Sequence, residues 1–160
     1  MKVLEDGGNA IDAAVAVAFA LAVVNPSAGN LGGGGFMLFH LAESKETFSV
    51  DYRERAPIKS FEKIFQDNSG NVIKGLSLNS ILASGVPGTV SGMFYAAERY
   101  GTIKVENLMQ PAIELAKKGF ALSDFQAKNL NKHKEKFSKN KEASEIFTKP
   151  NGFSQGDVLV

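Results

Sequence analysis

The chain has no cysteine. That excludes a disulfide framework and any thiolate metal site. The absence is compatible with an oxidising compartment and does not establish one. Histidine is almost as scarce: His40 and His133 stand far apart in sequence. With no cysteine and no clustered carboxylates beside them, they give no case for a metal, and no cofactor is expected. Charge of one sign is missing too. Eighteen basic residues face 17 acidic ones, for a net charge of +1, so nothing electrostatic argues for nucleic acid or an anionic membrane surface. The Lys-rich stretch through Lys139 is interleaved with Glu135, Glu142 and Glu145 and reads as a solvated face. A membrane-length hydrophobic run is also lacking. The apolar stretch 13–24 is shorter than the roughly 20 residues a span requires. Glu5, Asp6 and Asp12 lie where a signal peptide carries basic residues. A buried helix is the favoured reading, with a signal peptide as the lesser alternative.

What remains is an ordinary globular composition, 44% apolar and 22% charged over 160 residues, enough for one domain with a core. Asn9 is an N-cap residue, and Asp12 falls in the positive first turn of a helix expected over 10–24. Asn25-Pro26 ends it, because the residue before proline is pushed out of the helical region. Residues 3–6 read as the last turn of an earlier helix, stopped by Gly7-Gly8. Two strands are expected over 34–41 and 47–52, joined by a short polar turn as an antiparallel hairpin. Residues 66–74 read as a surface loop. Helices are expected over 89–99, closed by Gly101, and over 105–118, closed by Gly119. A third, polar helix is capped by Ser123 and runs through Lys139. Strands in a hairpin followed by helices point to an α+β layered fold. A helical tail at the start and the apolar run Gly156-Asp157-Val158-Leu159-Val160 at the end suggest a single incomplete domain over 1–160, with N- and C-terminal parts missing.

The most informative stretch is Ala28-Gly29-Asn30-Leu31-Gly32-Gly33-Gly34-Gly35-Phe36-Met37. Four glycines directly precede Phe36-Met37-Leu38-Phe39-His40-Leu41, which reads as a buried strand. Glycine weakens a strand, so a run of four implies that bare backbone is needed there. Gly32, Gly33, Gly34 and Gly35 are expected to permit close packing of strands; an anion-binding nest is the sharper alternative. A dinucleotide fingerprint does not fit, since the run precedes a strand and opens no helix, and no Gly-Lys-Ser/Thr follows to make a phosphate loop. No Gly-x-Ser-x-Gly elbow occurs; Ser91-Gly92 is the nearest approach.

Further blocks flank this run: Gly7-Gly8-Asn9-Ala10-Ile11-Asp12-Ala13-Ala14, Asp51-Tyr52-Arg53-Glu54-Arg55-Ala56-Pro57, Ala83-Ser84-Gly85-Val86-Pro87-Gly88-Thr89-Val90 and Gln110-Pro111-Ala112-Ile113-Glu114-Leu115-Ala116. In this order they resemble the start of the large subunit of gamma-glutamyltransferase, also called gamma-glutamyl transpeptidase or glutathione hydrolase. The resemblance runs from about Leu4 to the end of the chain. It implies part of an N-terminal-nucleophile hydrolase αββα sandwich. It also implies an enzyme that moves the γ-glutamyl group of glutathione or a related amide to water or an amino acid, through a γ-glutamyl-threonine intermediate. The implied partners are a γ-glutamyl small molecule and the small subunit of the same precursor, in a periplasmic or secreted setting.

Arg53 is the strongest site candidate. Guanidinium forms two parallel hydrogen bonds with a carboxylate, and on its residues alone Arg53 reads first as an arginine paired with Glu54 or Asp51. The resemblance assigns it the α-carboxylate of the γ-glutamyl substrate. Glu54 is expected to orient Arg53 or to cap nearby backbone. Arg55 occupies a variable position of the motif, which leaves open which arginine faces the pocket. The resemblance also implies that the nucleophilic threonine lies beyond residue 160. Thr89, Thr102 and Thr148 match no such motif, so no catalytic residue is expected in this stretch and the isolated chain should be inert. The alternative reading is a non-catalytic binding or packing domain.

Overall fold

The computed structural model describes residues 1–25, 27–29 and 31–160. Pro26 and Asn30, named in the helix-ending pair and the glycine-rich stretch, lie outside the described residues. The chain forms two compact units, Met1–Leu108 and Met109–Val160.

The first unit opens with a short helix α1 (Lys2–Glu5), ended by Gly7 at φ 89°. Helix α2 (Ala10–Val24) follows, with Asn9 as N-cap. Strands β1 (Phe36–Leu41) and β2 (Glu46–Asp51) pair antiparallel, with Phe39 opposite Phe48 and Met37 opposite Val50. The short helix α3 (Leu76–Asn79) and a 3₁₀ turn (Ile81–Ala83) lead to α4 (Thr89–Tyr100). Helix α5 (Val105–Lys118) begins in this unit and carries Pro111 in its interior. Val15, Phe19, Met93, Ala96, Ala97 and Leu108 are among the buried core residues. The inner face of the hairpin reaches α4 through aromatic rings: Phe39 meets Tyr100 edge-on at 4.7 Å, and Phe48 meets Tyr100 at 5.3 Å. Such pairs add directional contact to apolar burial.

The buried-strand expectation for 36–41 is corrected here. Burial alternates along β1; Phe36 is 69% and Leu38 76% exposed. Only Met37, Phe39 and Leu41 face inward, because successive side chains of a strand point to opposite faces. The hairpin is otherwise as the sequence predicts, shifted by one or two residues at its ends.

The second unit contains β3 (Phe120–Ala121) paired antiparallel with β4 (Val158–Leu159), and helices α6 (Asp124–Lys132), α7 (Lys134–Phe137) and α8 (Lys141–Phe147). Leu122, Ala127, Leu130 and Leu159 form its core, with Phe120, Phe137, Phe147 and Phe153 packed against them. Ser123 caps α6 as expected, in a reciprocal box with Gln126. The single helix expected through Lys139 is instead broken at His133, where φ is −103° and ψ 10°. His133 Nδ1 lies 2.9 Å from the Asn129 carbonyl oxygen, so its side chain engages helix backbone, and the chain re-initiates as shorter turns.

Candidate functional site

Residues 52–55 leave β2 as a segment that backbone contacts clamp on both sides. Tyr52 continues the hairpin ladder: its N–H donates to the Gly35 carbonyl at 3.0 Å, and Gly35 N–H donates to Tyr52 O at 3.3 Å. Three residues on, Arg55 N–H donates to Val86 O at 3.1 Å and Val86 N–H to Arg55 O at 2.8 Å. Between these anchors the chain is crowded by glycines. A Cβ on Gly34 would fall 2.7 Å from Glu54 N, one on Gly88 2.7 Å from Tyr52 C, and one on Gly92 2.5 Å from Tyr52 Cβ. Real Cβ atoms do not approach so closely, so only bare backbone fits. Gly33 joins the same knot: its carbonyl accepts from Gly88 N–H at 2.9 Å and Thr89 N–H at 3.0 Å. These are donors that the first turn of a helix leaves free.

The clamped segment forms the wall of an open cleft of about 730 Å³, lined by Asp51, Tyr52, Arg53, Arg55, Ser91 and Tyr95 among others. A second cleft of about 510 Å³ adjoins it and shares Arg53 and Arg55, with Glu54 and Glu62 also on its wall. Arg53 and Arg55 therefore reach both clefts. The Arg53 side chain is 60% exposed, and its Nη1 lies 3.5 Å from Glu54 Oε2. Asp51 accepts the Arg53 backbone N–H at 3.0 Å. Glu54 Oε2 is enclosed and has no hydrogen-bond partner among the described residues; its contact with Arg53 is a loose ion pair, too long for a good hydrogen bond. A Cβ on Gly85 would come 3.1 Å from Glu54 Cβ, so Gly85 also crowds this side chain.

A second cluster in the same unit involves Asp12, which is fully buried. Its carboxylate accepts from Asn9 N–H at 2.9 Å, Thr102 N–H at 3.1 Å, the Thr102 hydroxyl at 2.7 Å and Ile103 N–H at 3.3 Å. Asn9 Nδ2 donates to Tyr100 O at 2.7 Å. Burial alone would raise the Asp12 carboxyl, but the bonds from Asn9, Thr102 and Ile103 outweigh it and hold the group below its ordinary value of 3.8. Gly101 has no room for a side chain, since a Cβ there would meet Asp12 Oδ1 and lie 2.6 Å from Ala97 O. This cluster ties the start of α2 to the end of α4. Its charge is consumed by the fold.

His40 Nδ1 sits 3.1 Å from Thr47 Oγ1 across the hairpin, whereas His133 belongs to the second unit. Among the described residues no group of three or more His, Asp or Glu is placed to hold a metal ion. No helix among them is long and apolar enough to cross a membrane.

The sequence profile of the family described as Gamma-glutamyltranspeptidase matches residues 1–160. The chain belongs to the gamma-glutamyltranspeptidase family. It is 51% identical over 162 residues to the glutathione hydrolase proenzyme of Pseudomonas sp. (strain A14), a match covering 100% of this chain and 28% of that protein. It is 46% identical to the glutathione hydrolase proenzyme of Escherichia coli (strain K12), again over 100% of this chain and 28% of the relative. The fold superimposes on the crystal structure of Helicobacter pylori gamma-glutamyltranspeptidase with a TM-score of 0.93 and 50% identity, covering 99% of this chain and 46% of that one. The chain thus spans 28% of the length of these two curated relatives, and its α+β architecture is part of the family's N-terminal-nucleophile hydrolase fold.

Within this family frame, Tyr52, Ser91 and Tyr95 line the cleft without having drawn weight in the sequence. A signal was present. Gly88 and Gly92 are four apart, as are Ser91 and Tyr95, which gives one helical face two bare positions beside two polar ones. Ser91 Oγ donates to Gly88 O at 2.9 Å, so in this structure it closes the first turn of α4.

Proposed function

We propose that this chain is the substrate-anchoring part of a γ-glutamyl hydrolase or transferase, and that Arg53 holds the α-carboxylate of the γ-glutamyl donor. One observation carries the reading: in a chain of this family, an exposed guanidinium stands over an open cleft on a backbone that cannot shift. A rigid fork of donors on a fixed backbone suits bidentate capture of a carboxylate. Glu54 orients Arg53 through their ion pair.

The nucleophile of this reaction lies outside the chain. It is the threonine freed at the N-terminus of the small subunit when the precursor cleaves itself. Its hydroxyl oxygen attacks the γ-carbonyl carbon and passes its proton to the threonine's own α-amino group. Backbone N–H groups hold the oxyanion. The C–N bond then breaks, the leaving amine takes the proton, and a γ-glutamyl ester remains on threonine. Water, or the amine of an amino acid, resolves that ester. A periplasmic or secreted location accompanies this reading, as does a small subunit from the same precursor.

The test is a kinetic comparison in the full-length protein that carries this chain. Arg53→Ala should raise KM for γ-glutamyl donors. Losing a charge-assisted bidentate pair costs about 2–3 kcal/mol, or roughly 30- to 150-fold. An unchanged KM, or a rise produced only by Arg55→Ala, would show the assignment of Arg53 to be wrong.

The Arg53–Glu54 ion pair favours a second reading, in which Arg53 is structural and the chain is a non-catalytic binding or packing domain. A thermal shift of the full-length protein by glutamate, abolished by Arg53→Ala, rejects that reading. A glutamate response that survives the substitution supports it.

A further inference from the structure

Arg55 stands two residues beyond Arg53 on the same clamped segment. Glu54, between them, lines only the second cleft, whereas both arginines line the first as well. Both arginines line the cleft of about 730 Å³, but their surroundings differ. Arg53 has Glu54 at 3.5 Å. The Arg55 side chain makes neither an ion pair nor a hydrogen bond with the described residues, although its backbone is pinned to Val86 through both N–H and C=O. The other acids on the two cleft walls do not compensate it. Asp51 accepts the Arg53 backbone N–H, and Glu62 forms no ion pair with either arginine. The cleft therefore presents two cations on one rigid segment, and the second has no counter-ion among the described residues.

We propose that Arg55 is a specificity-determining residue that engages a second carboxylate, carried by the leaving group of the donor. The preferred donor class is a γ-glutamyl amide whose amine portion is an amino acid or peptide with a free carboxylate, over one releasing a neutral amine. This rests on the reading of Arg53 as anchor of the first carboxylate. A donor held there by its α-carboxylate directs its γ-amide and leaving group along the cleft. A guanidinium with its fork unoccupied is matched to a carboxylate arriving beside it.

The experiment uses the full-length protein and measures hydrolysis without added acceptor, so that only donor contacts are read. Glutathione serves as the acidic donor and a γ-glutamyl anilide as the neutral one. In Arg55→Ala the ratio of kcat/KM for glutathione to that for the anilide should fall roughly tenfold, through KM. Arg55→Lys should recover part of the ratio, because it keeps the charge and loses the fork. Arg53→Ala should lower both donors together and leave the ratio in place. An unchanged ratio in Arg55→Ala overturns the proposal whatever Arg53 does. If Arg53→Ala lowers neither donor, the reading of Arg53 fails instead, and the two failures are separable.

Discussion

The Asp12 cluster and the Arg53 segment lie in the same compact unit, and both are built around glycines that admit no Cβ. They use that crowding in opposite ways. At Asp12 a charged side chain is what is packed. It is fully buried, and groups as distant in sequence as Asn9 and Thr102 satisfy it. Along residues 52–55 it is the backbone that is packed, by Gly34 and Gly88, while the charged side chains stand at the cleft. A buried charge is tolerated when hydrogen bonds compensate it fully. A charge left uncompensated at the wall of a cleft, on backbone that cannot relax, is in a position to meet something else. Charge in this unit therefore divides into what the fold has consumed and what it has left exposed, and the site is sought in the second class.

The largest effect expected from breaking this contrast is on the first side. Asp12→Ala removes the acceptor for three backbone N–H groups and the Thr102 hydroxyl. Stranding buried donors of a charged network should destabilise the full-length protein by about 3–4 kcal/mol, read as a lowered thermal or denaturant midpoint. Gly88→Ala comes next. The new methyl would strike the Tyr52 carbonyl, which is backbone and cannot swing away, so a loss of about 2–3 kcal/mol is expected by the same measurement.

A smaller effect concerns acid. The Asp12 carboxyl is held below its ordinary value of 3.8, so its ionised form is favoured by folding. That contribution is complete above the unfolded-state pKa and is lost as pH falls through the lower, folded-state value. In a pH series of midpoints, Asp12→Asn should lie below the parent at neutral pH and converge toward it in that acid range. Parallel curves would mean that Asp12 is not the group responsible. Smallest of all is the stability change for Arg53→Ala, about 1 kcal/mol, because the guanidinium is largely exposed and its contact with the enclosed Glu54 oxygen is loose. A loss as large as that of Asp12→Ala would erase the contrast and make Arg53 structural.

Local patterns made the elements of the first unit legible. Two runs joined by a short polar turn signalled the hairpin, Asn9 and Asp12 signalled the start of α2, and Gly101 marked the end of α4. The same patterns misled where environment decided. The run 36–41 is apolar at nearly every position, yet only alternate side chains face inward. The polar segment after Ser123 has continuous helical character, yet His133 breaks it, and its contact with Asn129 O is not a feature of composition. At the site, Arg53 drew attention through its motif. The place of Arg55 on the same wall could not be read from that motif, because it depends on a bridge to Val86, which lies in a separate block of sequence.

By itself the sequence determined the β1–β2 hairpin, the helices α2, α4 and α5 and the family, since each rests on short-range preference or on motif blocks that survive as strings of residues. The tertiary structure alone decided which glycine meets which backbone. Gly34 and Gly88 are distant along the chain and converge on the backbone of residues 52–54, just as Asp12 meets Thr102 across 90 residues. The physical reason is that a missing Cβ has no partner written beside it. It only permits an approach, and the folded chain determines what approaches.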